Sequence, residues 1–266
     1  MTNWSPNPSL WPGLHPVLIA HDVGGSRDRS TAVVGGYCTY VPGILGIKEF
    51  NELPQSLYGS ARASALAQID SRYDRKGLIF ADLSNDTSYG EQLFETFGPR
   101  VIGVHIGRHG DGMQADRRRV GRGSIVIYHI GRSHLLEALH SDMQAGRVCF
   151  ADGPEARRAY AQLEALEPEM REGGMVYKCL PGQHDDLGIS CAMLNWAARH
   201  PHLQYWMGNV VAVASRGGGG RPTHGLPLRD AFVTPFSTAQ PKPAIAASRS
   251  ARTEAAGARC ILLAAD

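Results

Sequence analysis

The stretch HDVGGSRDRSTAVVGG, residues 21–36, decides how the first half of the chain folds. The apolar run VLIAHDV, 17–23, predicts a buried strand that ends at Asp22, where a polar, glycine-containing turn begins. TAVVGGYCTYV, 31–41, and GILGIKEFNEL, 43–53, predict two further strands. Three strands in close succession are typical of an antiparallel meander, with Asp22 at one end of its first strand.

Helices and strands alternate after this meander. Apolar residues at helical spacing predict a helix within 56–73, and KGLIFADL, 76–83, predicts a buried strand that ends at Asp82. A short helix closed by Gly98 and the strand RVIGVHI, 100–106, follow. The order β-β-β-α-β-α-β predicts an α/β fold with a mixed five-stranded sheet and helices on both faces. This is the element order of ribonuclease H-like folds.

Composition divides the chain into three segments. Residues 1–16 are polar and proline-rich, which predicts a leader or linker. Residues 17–213 hold the predicted α/β domain. Residues 214–266 are rich in glycine, proline, alanine, serine and arginine, so we expect a low-complexity, disordered tail.

Charge and cysteine content exclude several classes of protein. The formal net charge is +2, and most of the positive charge is arginine, whose planar guanidinium suits phosphate contacts. None of the five cysteines forms a CxxC pair, so neither a zinc ribbon nor a disulfide framework is indicated. No apolar run reaches the ~20 residues that a membrane span needs. We therefore expect a soluble cytoplasmic protein with no membrane contact.

Acidic residues stand at three points of this predicted fold. Asp22 ends the first strand, Asp82 ends the fourth, and HDD, 184–186, begins an apolar helix predicted over 184–200. The two strands are neighbours in a ribonuclease H-like sheet, so their carboxylates converge. Mg²⁺ prefers oxygen ligands, and two such ions about 4 Å apart support phosphodiester hydrolysis. The conjunction predicts a two-metal site.

Each acidic point also has a purely structural explanation. An aspartate after a strand is often a turn former, and DLSNDTS, 82–88, reads as an Asx-rich loop. An aspartate before an apolar helix commonly caps it. The order of the three points along the chain, rather than any one of them, favours the functional interpretation.

Three motifs carry a resemblance to a known family. HDVGGSRDRSTAVVGG, 21–36, GLIFADLSNDTSYGEQLFETFG, 77–98, and above all HDDLGISCAMLNWAARH, 184–200, resemble the nuclease domain of phage terminase large subunits, the DNA-packaging motors of tailed phages. The resemblance covers roughly residues 17–205, and the last motif is its most specific part.

The resemblance implies a set of site residues. Asp22, Asp82 and one of Asp185 or Asp186 would hold Mg²⁺ or Mn²⁺, two ions in all, and Asp186 is preferred. His184 would contact either these metal-binding aspartates or the substrate.

The resemblance also implies a substrate and partners. The expected activity is that of an endonuclease on double-stranded phage or prophage DNA in the cytoplasm of a bacterial host. The chain contains no GxxxxGK[ST] loop, so we expect it to act without an ATPase domain of its own. A separate terminase ATPase, a small terminase subunit and a portal are the implied protein partners.

Arginines near the predicted site are the candidates for contacts to the DNA backbone. Several lie in a polar excursion predicted over 107–123, before an expected edge strand at 124–130; a solvated loop explains that run nearly as well. The predicted DNA-binding residues are Arg27, Arg29, Arg108, Arg117, Arg118, Arg119 and Arg122.

Three alternatives stay open. A resolvase-type nuclease for branched DNA would have the same fold and metal chemistry, although resolvases usually place a glutamate where this chain has Asp82. An inactive ribonuclease H-like scaffold would only bind DNA or a partner. DVGGSRDRSTAVV, 22–34, is also similar to the first phosphate-binding turn of actin-like sugar kinases, but a convincing second turn is absent and HDD would stay unexplained.

Overall fold

The computed structural model describes residues 4–5, 13–24, 29–38, 43–84, 86, 88–121, 123–171, 174–179 and 184–214. The strands in these ranges are β1 (Trp4–Ser5), β2 (Leu18–Asp22), β3 (Thr31–Tyr37), β4 (Leu45–Glu52), β5 (Leu78–Asp82), β6 (Val101–Gly107), β7 (Asp111–Val120), β8 (Gly123–Gly131), β9 (Val148–Ala151), β10 (Glu167–Arg171) and β11 (Gly174–Lys178). The α-helices are α1 (Gly59–Ser71), α2 (Tyr89–Phe97), α3 (Arg132–Gln144), α4 (Pro154–Glu164), α5 (Asp186–Arg199) and α6 (Leu203–Ala214).

One mixed sheet organises the fold. Its nine strands lie in the order β1-β9-β4-β3-β2-β5-β6-β8-β7, and β10 and β11 form a separate hairpin. At its centre, β3 is antiparallel to β2 and β4, whereas β2, β5 and β6 run parallel. This centre is the predicted ribonuclease H-like arrangement, and the α/β fold class is confirmed. Two strands on each side extend the five predicted strands to nine.

The two faces of the sheet carry different helices. Side chains alternate between the faces of a strand, so Leu18 and Ala20 of β2 pack on one side and Ile19 on the other. Leu18 and Ala20 share a core cluster with residues of α3 and α5. Ile19 shares a second cluster with residues of α1 and α2. Helices therefore cover both faces, as the sequence predicts.

Helix α5 is buried along almost its whole length. Every residue from Leu187 to Ala198 is buried, because the helix packs against the sheet and also contacts α3, α4 and α6. A helix that is mostly apolar on all sides belongs in the interior of a domain. Helix α6 follows α5 in the chain. Among the described residues, no helix combines the length and the apolar character that crossing a membrane requires.

The arginine-rich segment differs from its prediction. Instead of a polar excursion over 107–123, the structure has β7, which pairs antiparallel with β8 and forms the outer edge of the sheet. Strand β8 therefore lies inside the sheet, and its prediction as an edge strand was wrong. Eight of the ten residues of β7 are exposed, so backbone pairing rather than an apolar alternation makes this strand.

The segments that flank the predicted domain are described only in part. Trp4–Ser5, within the predicted leader, forms β1 and pairs in parallel with β9. Leu14 forms an isolated antiparallel bridge with Cys38. The predicted tail lies outside the described residues except for its first residue, Ala214, which ends α6.

Candidate metal centre

Asp22 and Asp82 lie side by side at one edge of the sheet. Strands β2 and β5 pair in parallel with Ala20 opposite Phe80 and His21 opposite Ala81, and each aspartate follows directly. Neighbours in such a register point to the same face. Ala20 and Phe80, two residues earlier, belong to the cluster that includes α5, so both carboxylates lie on the α5 face.

Asp82 is the more deeply buried of the two. Its Oδ1 accepts a hydrogen bond from the backbone N–H of Ser84 at 2.9 Å and another from the Ser84 hydroxyl. The Ser84 oxygen in turn accepts from the Ile106 N–H at 2.7 Å, which ties the end of β5 to β6. Burial raises the pKa of Asp82 above its ordinary value, and the bonds from Ser84 offset this only in part. A nearby cation would favour the ionised form of this buried carboxyl group.

Thr31 holds the start of α5 over the same edge. It is the register partner of Asp22 in the β2–β3 pair. Its hydroxyl donates to the backbone carbonyl of Asp186 at 3.0 Å, and its oxygen lies 2.7 Å from the Ser190 hydroxyl. One side chain thus fixes the first turn of α5 next to the strand that carries Asp22.

His21 supports this arrangement from the opposite face. Its Nδ1 lies 2.8 Å from the Thr31 carbonyl, which can only accept, so Nδ1 carries the proton. Nε2 then accepts from the Tyr89 hydroxyl at 3.3 Å. Burial lowers the pKa of His21 to about 4, so the ring is neutral at physiological pH. It is a structural link between β2, β3 and α2.

The two aspartates of the HDD motif have different surroundings. Asp185 precedes the first helical residue and forms an ion pair with Arg132, the first residue of α3. Asp186 begins α5 and lines a cleft between α4 and α5, as does His184. The Arg132 contact engages Asp185 within the fold, whereas Asp186 faces the cleft.

Asp22, Asp82 and Asp186 offer carboxylate oxygens, the ligand type that a hard divalent cation prefers, and Asp22 and Asp82 share one edge and one face of the sheet. Among the described residues, no group of three or more His, Cys, Asp or Glu side chains is close enough together to hold a metal ion. Within the part of the chain that the structure describes, Asp22 and Asp82 therefore share an edge and a face of the sheet without forming a closed set of three ligands.

The cleft between α4 and α5 has a volume of about 460 Å³. Its polar wall includes Arg29, just before β3, and Arg158 on α4. Both guanidinium groups contact Glu52 at the end of β4: Arg29 reaches Oε2 at 2.7 Å and Arg158 reaches Oε1 at 2.9 Å. Gln162 of α4 accepts from the Gly188 N–H at 3.1 Å, which satisfies a donor of the first turn of α5.

The predicted DNA-binding arginines fall into separate places. Arg29 lies in the cleft, and Arg108 is exposed directly after β6 at the same edge as the aspartates. Arg117, Arg118 and Arg119 are exposed on β7. Arg27 and Arg122 lie outside the described residues.

Strand register gives the direction of the β7 arginines. Asp82 pairs with Val104 of β6, and Val104 pairs with Tyr128 of β8, which faces Ala115 of β7. The arginines at 117–119 continue from Ala115 away from the carboxylate edge. The run of positive charge therefore extends along β7 toward the ends of the strands that lie opposite to Asp22 and Asp82.

Several contributors to this region escape sequence reasoning. Thr31, Ser84, Glu52 and Arg158 are ordinary polar residues in the sequence. Ser84, two residues after Asp82, is the only one of the four with a local signal, because Asp-x-Ser favours a turn in which the serine bonds back. The others become recognisable only once the strand register and the packing of α4 are known.

The geometry defines a ribonuclease H-like α/β protein with paired aspartates at the carboxyl edge of β2 and β5. No protein-family model matches the chain, and no curated protein matches its sequence. In structure, the chain is similar to the large terminase nuclease of thermophilic phage G20c, with a TM-score of 0.49 and 15% identity over 68% of this chain and 81% of that one.

Two further solved structures of the same class are similar to the chain. The G20c nuclease with bound magnesium has a TM-score of 0.48 and 16% identity, covering 67% of this chain and 79% of that one. The g2p large terminase nuclease domain of bacteriophage SPP1 with bound manganese has a TM-score of 0.43 and 12% identity, covering 73% and 95%. Large terminase nucleases are the class of protein that the three sequence motifs resemble. The roles of residues in this chain are not taken from these structures.

Proposed function

We propose that the chain is a metal-dependent endonuclease that hydrolyses phosphodiester bonds of double-stranded DNA. The observation that carries the proposal is the placement of Asp22 and Asp82, which end the paired strands β2 and β5 on the α5 face, beside the first turn of α5. Paired carboxylates on rigid neighbouring strands are suited to holding divalent cations for phosphoryl chemistry.

We assign roles to individual residues as follows. Asp22, Asp82 and Asp186 would hold two Mg²⁺ or Mn²⁺ ions, which supply Lewis-acid stabilisation of the phosphodiester and an activated water when bound. Ser84 and Thr31 position these ligands through the hydrogen bonds described above. Asp185 serves to join α3 and α5 through Arg132, and His184 contacts the substrate at the mouth of the cleft.

Plasmid cleavage tests the proposal directly. Purified full-length chain is incubated with supercoiled plasmid in Mn²⁺, in Mg²⁺ and in EDTA, together with Asp22→Asn and Asp82→Asn. We expect nicking or linearisation that depends on metal and that either substitution abolishes. Asparagine is nearly isosteric with aspartate, and burial already disfavours the Asp82 charge, so both variants should keep the wild-type thermal unfolding midpoint in EDTA.

Metal binding has a readout that does not require activity. We expect Mn²⁺ to raise the unfolding midpoint of the wild type, because a ligand that binds only the folded state stabilises it, and Asp82→Asn to reduce that shift. Absence of both cleavage and a Mn²⁺-dependent shift in a folded wild type would reject the nuclease and favour an inactive scaffold. Preference for four-way junctions over linear duplex would favour the resolvase alternative.

The partners we propose are a terminase ATPase, a small terminase subunit and a portal, because the three sequence motifs resemble the nuclease domain of terminase large subunits. The setting we propose is the cytoplasm of an infected or lysogenic bacterium. Stimulation of plasmid cleavage by an added terminase ATPase is the expected biochemical sign of this partnership.

A further inference from the structure

We propose that the cleft between α4 and α5 is a binding subsite for the DNA backbone, in which Arg158 and Arg29 contact a phosphate beside the one that is cut. The inference rests on the proposed nuclease function and adds a position for the substrate. Arg158 belongs to none of the motifs, and its place in the cleft comes from the packing of α4 alone.

The cleft is large enough for a ligand bigger than an ion. Its volume of about 460 Å³ lies within the range of roughly 300–1,000 Å³ that is usual for binding sites of small molecules, and one water occupies only about 30 Å³ of liquid. Asp186 lines the same cleft, so a ligand that fills it extends directly from the proposed metal site.

Two arginines of the cleft wall offer N–H donors to an anionic ligand such as a phosphate. Two guanidinium groups lie on either side of one carboxylate, Glu52, each contacting a different oxygen of that carboxylate. A guanidinium has five N–H donors, so the contacts to Glu52, and that of Arg158 to Glu155 at 3.7 Å, leave both arginines with donors for phosphate oxygens. The positive end of the α5 dipole adds to the attraction.

The ion pairs with Glu52 have an orienting role rather than a large stabilising one. The side chains of Arg29 and Arg158 are 63% and 47% exposed, and ion pairs at such exposure typically contribute below about 1 kcal/mol. Glu52 instead fixes the direction of two long side chains before a ligand arrives, which lowers the entropic cost of binding it.

The chain contains a matched control for Arg158. Arg157 is its neighbour on α4 and is 69% exposed, but it pairs with Asp152 at 2.9 Å and does not line the cleft. Replacing either arginine by alanine removes the same charge from the same helix. Glu52 keeps its contact with Arg29 in the Arg158 variant, so we expect both variants to fold.

The experiment measures binding of a labelled 30-base-pair duplex to the full chain by fluorescence anisotropy in EDTA, at 50 and 150 mM salt. Arg158→Ala should weaken binding at least about fivefold more than Arg157→Ala. The slope of log affinity against log salt concentration should also become shallower in Arg158→Ala, by about the amount that one phosphate contact contributes. Arg158→Lys should recover part of the affinity, because the charge is restored without the planar fork.

Equal affinities and equal salt slopes for the two alanine variants would overturn the subsite. Wild-type plasmid cleavage, run in parallel, separates this result from failure of the nuclease. Cleavage with equal variants rejects the subsite alone. The expected binding difference without cleavage rejects the nuclease and leaves the cleft as a phosphate-binding site only. A folded wild type that binds no duplex rejects both.

Discussion

Two groups of arginines stand in contrasting surroundings. On β7, Arg117, Arg118 and Arg119 are consecutive in sequence, exposed, and extend away from the paired aspartates. In the cleft, Arg29 and Arg158 are far apart in sequence but share Glu52 beside Asp186. The first group is conspicuous in the sequence, and the second is assembled by the fold.

The contrast separates two ways of using positive charge. Consecutive exposed arginines on a strand provide a general attraction for polyanions, which salt weakens. Arginines fixed by a carboxylate next to a chemical site can select the position of one phosphate. We therefore expect the β7 arginines to affect how much DNA binds, and the cleft arginines to affect where it lies.

The largest expected effect concerns the two aspartates that begin α5. Asp186→Asn should lower plasmid cleavage in Mn²⁺ at least about a thousandfold, because losing the metal ligand that we propose would remove several kcal/mol of transition-state stabilisation. Asp185→Asn should retain most of the activity, since Asp185 is engaged with Arg132. The reverse ranking, measured by initial cleavage rates, would exchange the roles of the two residues.

Acid should destabilise the fold through the buried His200. His200, after α5, donates from Nε2 to the Gly112 carbonyl of β7 at 3.0 Å, and burial lowers its pKa to about 4. The unfolded chain, with a pKa near 6.5, binds this proton more readily, so stability falls as pH falls from about 6.5 toward 4.

We expect His200 to account for about 1–2 kcal/mol of lost unfolding free energy between pH 7 and pH 5. Urea unfolding at both pH values measures it. His200→Gln should have a smaller pH dependence than the wild type, while His21, also with a pKa of about 4, is present in both proteins. Identical pH dependence of the two proteins would show that His200 does not contribute to the loss of stability in acid.

Thr31→Val tests whether the carboxylate edge depends on one hydroxyl. Valine lacks the hydroxyl of Thr31, so the hydrogen bonds to Asp186 and Ser190 are lost. A hydrogen bond of this kind contributes about 1 kcal/mol to stability. We expect cleavage at saturating DNA to fall roughly tenfold, with a small loss of stability. Thr31→Ser keeps the hydroxyl and should retain most of the rate. Equal rates for the valine and serine variants would contradict the positioning role.

The smallest expected effect is that of the β7 arginines on the chemical step. Replacing Arg117, Arg118 and Arg119 together by alanine should weaken duplex binding by about fivefold and flatten its salt dependence. The cleavage rate at saturating DNA should be unchanged, because these residues lie beyond the carboxylate edge. A lower cleavage rate at saturating DNA in this triple variant would instead place the β7 arginines at the reacting phosphate. They would then no longer differ in role from the cleft arginines.

The sequence predicts the parts of the molecule that depend on local pattern. Buried apolar runs such as 17–23 and 76–83 predict strands, and an aspartate at the end of each run predicts the edge at which both carboxylates lie. The order of elements then restricts the fold to the ribonuclease H-like arrangement. The resulting sheet centre is the one observed.

Other features depend on contacts that no local pattern records. Strand β7 has no apolar alternation, so its pairing with β8 is visible only in the sheet. The cleft requires α4 to lie beside α5, which brings Arg158 to Glu52 across more than 100 residues of chain. The difference between Asp185 and Asp186 likewise depends on where α3 begins.

The burial of α5 has a consequence for its tolerance of mutation. Adding a Cβ at Gly188 would bring it to 3.0 Å from a Leu163 methyl, and every position from Leu187 to Ala198 is enclosed. A saturation scan of this helix should therefore record losses at consecutive positions, without the 3.6-residue rhythm of a surface helix. Its sequence would change slowly during evolution even where no side chain touches DNA.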